Sequence, residues 1–126
     1  MTTLYPLLYR CTPLLILMSI SIPVWADPGK ELFDKQCASC HSIGGGDGGG
    51  PDLKGVTEKR QTEWLVRVIV EPDKLTAAKD PVQAELVKKA GFEMPNLGIS
   101  SDDAKKIIAY LAGATSVAAS ANHTPA

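Results

Sequence analysis

The chain has 126 residues, a net charge of −1 and a hydrophobic fraction of 44%. That is a length for one small domain, and the absence of a basic excess gives no footing for a nucleic-acid binder. Mean hydropathy of +0.01 and the lack of charge blocks also argue against an acidic or basic interaction tail.

The first 26 residues read as a segment apart from the fold. Arg10 precedes the apolar run Leu14 to Val24, and Val24-Trp25-Ala26 gives a small-x-small cleavage pattern before Asp27. This is the order of a secretory signal peptide, so residues 1–26 are expected to be removed on export to the periplasm. The alternative is a retained anchor, but the run is about half of the ~20 apolar residues a spanning helix needs. Stable membrane insertion after cleavage is therefore not expected. Cys11 and Arg10 leave with the leader, so Cys37 and Cys40 are the cysteines of the mature chain and its charge is one unit more negative.

Asp27-Pro28 opens the first helix, because Asp caps free N–H groups and Pro suits the first helical position. This helix is expected to run to about His41. Gly44 to Gly50 then carries six glycines and Asp47, a composition that holds neither helix nor strand and reads as a flexible surface loop. No Lys-Ser or Lys-Thr follows it, so it is not a phosphate-binding loop.

Trp64, Leu65, Val68 and Ile69 have helical spacing within a helix expected over about 61–71, ended by Pro72. Asp80-Pro81 starts another, ending at Ala90 with Gly91 as its stop. Met94 to Gly98 is irregular. Ser100 caps the last helix, whose Ala104, Ile107, Ile108 and Leu111 sit at i, i+3, i+4 and i+7. Gly113 is expected to close it. Residues 115–126 lack periodicity and are expected to form a disordered tail. The domain is thus 27–114 and all-α, with about four helices. So small a core is marginal, and a buried cofactor would complete it.

The chemistry lies in Cys37-Ala38-Ser39-Cys40-His41. Two cysteines separated by two residues and followed directly by histidine form the attachment pattern of a c-type haem. Each thiol adds to a vinyl group, and the adjacent imidazole is carried to the iron. A redox dithiol of thioredoxin type would need a βαβ setting, and no strand is expected. Structural zinc would need four ligands, and the mature chain adds only His123. The expected cofactor is one covalent haem c, with His41 as an iron ligand.

Met94 is the only methionine after the leader, and Pro95 holds it extended. A thioether favours ferrous iron, so Met94 is the candidate sixth ligand. A core-filling role for Met94, and ligation by His123, by a lysine or by none, remain the alternatives.

With these parts in order, the chain resembles a class I c-type cytochrome of the small bacterial monohaem type. The resemblance covers nearly all of 27–114. It rests on Gly29 to Phe33, the haem motif, Gly50-Pro51-Asp52-Leu53, Met94-Pro95-Asn96-Leu97 and Ile108 to Leu111. It implies the cytochrome c fold, with the helices packed around one covalently bound haem. The Pro51 carbonyl would accept a hydrogen bond from His41 Nδ1, and Leu53 would pack on the haem. Gly29, Phe33 and Tyr110 would meet where the first and last helices cross. Trp64, and Arg60 with it, would lie near a haem propionate.

The function implied is a periplasmic electron carrier and not an enzyme. It would be a monomer docking transiently with redox proteins, such as a respiratory oxidase or reductase and its electron donor. The competing reading is a haem enzyme subunit or gas sensor with a labile sixth ligand.

Overall fold

A computed structural model of the chain describes residues 26–121. The expected leader up to Trp25, and His123, lie outside the described residues. The elements are α1 (Pro28–Gln36), α2 (Val56–Lys59), α3 (Thr62–Val70), α4 (Pro72–Ala77), α5 (Pro81–Ala90) and α6 (Ser101–Ala121), with no strand among the described residues.

The helix starts follow their caps. Asp27 Oδ1 accepts from the N–H groups of Gly29 at 2.8 Å and Lys30 at 3.2 Å. Asp80 Oδ1 accepts from Gln83 N–H at 2.9 Å, and Ser100 Oγ from Asp103 N–H at 3.1 Å. Each satisfies a donor that the first helical turn leaves orphaned. Gly91, with φ of 84°, ends α5 in the left-handed conformation that suits glycine.

α1 is shorter than expected. It stops at Gln36 because the Phe33 carbonyl accepts both the Cys37 and Ala38 N–H groups, at 2.8 and 3.0 Å. Cys37 to Cys40 continue as turns, with the Cys40 and His41 N–H groups returning to the Cys37 carbonyl at 3.1 and 2.9 Å.

Two short helices join the four longer ones. Pro72 ends α3 but also opens α4, since Glu71 between them is non-helical and a proline at the first helical position needs no N–H partner. Pro72 and Leu75 are both fully buried and anchor this short helix. α2 and α4 have too few turns to produce a readable apolar stripe.

α6 departs from expectation at its far end. It passes through Gly113, its expected end, and runs to Ala121; the rest of the expected tail lies outside the described residues. One helical glycine costs only about 1 kcal/mol relative to alanine, and the alanine-rich stretch beyond it favours the helix.

The core forms where α1 crosses α6. Gly29 brings the backbones together: a Cβ there would collide with the Lys106 carbonyl oxygen and lie 2.8 Å from Tyr110 Cβ. Phe33 and Tyr110 fill the crossing, their ring centres 5.7 Å apart. Phe33, Ile107 and Leu111 form the buried cluster, with Leu53, Val56 and Ile69 packed on it. Ala104, Ile107, Ile108 and Leu111 are all buried, as the spacing on α6 requires. Among the described residues no helix is long and apolar enough to cross a membrane.

Candidate functional site

A cavity of about 230 Å³ lies against this core. Cys37, Cys40, His41, Pro51, Leu53, Trp64 and Met94, the seven residues the sequence singles out, all line it. Apolar side chains of α3, α5 and α6 supply much of the remaining wall, including Val68, Leu86, Val87 and Ile107. The turn after α1 delivers the two cysteines and His41, and the segment between α5 and α6 delivers Met94.

His41 is held firmly. Its Nδ1 lies 2.8 Å from the Pro51 carbonyl oxygen, which has only lone pairs to offer, so Nδ1 carries the proton and donates. That leaves Nε2 as the ring's lone-pair donor, the tautomer a metal ligand requires. Gly50 makes room for the imidazole. A Cβ on Gly50 would overlap the ring, standing 2.8 Å from Nδ1 and 2.9 Å from Nε2.

The glycine-rich segment is therefore no free excursion. The Asp52 carboxylate accepts from Gly44, Lys54 and Gly46 N–H groups at 2.8, 2.8 and 2.6 Å. These donors, Gly44 first, hold its carboxyl down to about 2. Asp47 accepts from Asp52 N–H at 2.8 Å and pairs with Lys89 of α5 at 2.7 Å. Gly50 N–H donates to the Cys40 carbonyl at 2.7 Å. The loop is folded around two aspartates so that Pro51 reaches His41.

Trp64 lines the cavity, but its indole N–H donates to Asp80 Oδ1 at 3.2 Å. The resemblance sets Trp64 near a haem propionate; here its N–H is engaged by a protein carboxylate while the ring forms wall. The Arg60 guanidinium carbon sits 5.7 Å from the Trp64 ring centre, within cation–π range.

Burial pushes the Cys37 thiol up. A reactive dithiol draws on the opposite shift, toward thiolate. Among the described residues there is also no cluster of three or more Cys, His, Asp or Glu able to hold a bare metal ion. The donor set fits a haem instead. Two thiols face an apolar cavity beside an imidazole whose Nε2 is free to ligate, and a thioether lies in the same wall.

Sequence reading missed Asp80 as the acceptor for Trp64, and it missed Gln83. Gln83, Leu86, Val87 and Ala90 share one face of α5 at i, i+3, i+4 and i+7, and all four line the cavity. A glutamine in register with apolar residues was the available signal.

A family model described as cytochrome c matches residues 26–115. A cytochrome c from Rhodothermus marinus superimposes with a TM-score of 0.67 at 28% identity, covering 71% of this chain and 76% of that one. The cytochrome c domain of a Pseudomonas putida protein gives 0.65 at 32% identity, covering 78% and 99%. An engineered Rhodothermus marinus cytochrome c bound to a carbene intermediate gives 0.63 at 24% identity, covering 77% and 87%, a likeness of fold alone. No curated protein matches the chain.

Proposed function

This chain belongs to the cytochrome c family, a haem-binding electron carrier with one covalent haem c, and from that premise we propose that it works in the periplasm as a shuttle whose iron is ligated by His41 and Met94. The observation that carries the reading is the cavity itself. His41, oriented by Pro51, shares it with Cys37, Cys40 and Met94.

The bound haem supplies an iron that accepts one electron and gives it back. The protein's part is to make that exchange cheap. Cys37 and Cys40 fix the group by two thioethers. The Pro51 carbonyl orients the His41 ring and raises its basicity toward iron. The Met94 sulfur, soft and neutral, favours the ferrous state. With His41 and Met94 both ligating, the iron would keep no position open for substrate, which favours a carrier over an enzyme. The apolar wall from Val68, Leu86 and Ile107 keeps water from the group.

Export follows from the leader-like residues 1–26, and the partners are then exported redox proteins, a donor on one side and a respiratory oxidase or reductase on the other. Charge near neutrality suits brief docking with modest salt dependence. The protein acts as a monomer.

The test is carbon monoxide added to the reduced holoprotein at neutral pH. A carrier with Met94 in place takes it up slowly or not at all. Rapid uptake with the fold intact would instead identify an enzyme or gas sensor with a labile sixth ligand.

A further inference from the structure

Gln83 is the buried polar side chain of the described residues, only 3% exposed. Its backbone N–H is engaged by Asp80. Among the described residues no side-chain nitrogen or oxygen is both sealed from solvent and without a partner. Gln83 lines the cavity, which sets this buried side chain against whatever fills it. A buried amide is costly unless something accepts its N–H. A group filling the cavity can supply that acceptor.

The neighbours of Gln83 say which part. Asp80 Oδ1 takes both the Gln83 N–H, at 2.9 Å, and the Trp64 indole N–H, at 3.2 Å. Arg60 stacks on Trp64, and Arg60, Lys59 and Lys54 line the same cavity. The start of α5 is thus linked by short contacts to a cationic rim. The other end of α5 leads through Gly91 toward Met94. A haem carries two propionates, its strong hydrogen-bond acceptors, and cations at a cavity rim attract carboxylates. The indole N–H that might have served one of them is held by Asp80.

We propose that Gln83 is a positioning residue for the haem, its Nε2–H donating to one propionate inside the cavity while Arg60 meets the carboxylates at the rim. The inference rests on the covalent haem of the proposed function. It makes the first turn of α5, fastened by Asp80, part of the cofactor site.

The experiment is proton NMR on the reduced, diamagnetic holoprotein labelled with 15N-glutamine. The expected result is a slowly exchanging Gln83 carboxamide with Overhauser contacts to propionate methylene protons. Contacts to the Met94 methyl, or rapid exchange with water, would overturn the proposal. A second reading uses Gln83→Leu with 13C-labelled propionates. One carboxylate stretch is expected to shift in the infrared while covalent haem content stays unchanged, and an unmoved stretch would count against the proposal. A pyridine spectrum of the same wild-type sample separates the two claims. Lack of covalent haem there would overturn the cofactor reading and this inference together, whereas intact haem with contacts to Met94 would overturn this inference alone.

Discussion

The imidazole Nδ1 of His41 lies 2.8 Å from the carbonyl oxygen of Pro51, and the residue between loop and ring that allows this approach is Gly50. Gly50→Ala is predicted to displace the ring, because its Cβ would overlap the imidazole. The expected loss is about 1–3 kcal/mol in holoprotein stability, typical of overpacking a tight site. A changed reduction potential should accompany it. Gly48→Ala is the control, since its Cβ meets only the Cys40 carbonyl oxygen at 3.4 Å. Thermal unfolding of both variants checks this, and equal losses would contradict it.

The haem motif, the caps at Asp27, Asp80 and Ser100, and the buried stripe of α6 were all legible in the sequence, since each depends on residues within two turns of one another. The glycine-rich loop was not. Its order comes from Asp52 reaching back to Gly44 and Gly46, and from Lys89 crossing 42 positions to Asp47. Composition reports the freedom of such a segment and is silent on what pins it. Trp64 lines the cavity, but the partner of its N–H depended on how α5 packs, which no local pattern carries. Gly113 misled because a single glycine late in a helix is a weak stop when alanine follows.

The crossing of α1 and α6 yields a second prediction. Gly29→Ala should cost roughly 1–3 kcal/mol, because its Cβ would collide with the Lys106 carbonyl and the backbones would have to part. Gly113→Ala lies in α6 with nothing within 4 Å of its Cβ. It should stabilise by up to about 1 kcal/mol through helix propensity. Chemical denaturation of the two variants distinguishes a close approach from a tolerated glycine.

Asp52 gives a pH prediction. Its carboxyl is lowered from 3.8 to about 2 by the backbone donors of Gly44, Lys54 and Gly46. A depressed folded-state value means that the carboxylate stabilises the loop above the unfolded value and ceases to as pH falls through the folded one. Asp52→Asn should therefore unfold at a lower temperature than wild type at pH 7. The gap should narrow across the window from 3.8 down to about 2. Melting curves through that range test it, and a gap independent of pH would contradict the assignment.

The central claim is a covalent haem c whose iron is held between His41 and Met94. The most direct measurement is the red absorption of the ferric holoprotein, matured in a periplasm, for wild type and Met94→Ala. The account predicts the weak methionine–iron band in wild type and its loss in the variant, with haem still attached in both. No such band in wild type, or a band that survives in Met94→Ala, would contradict it.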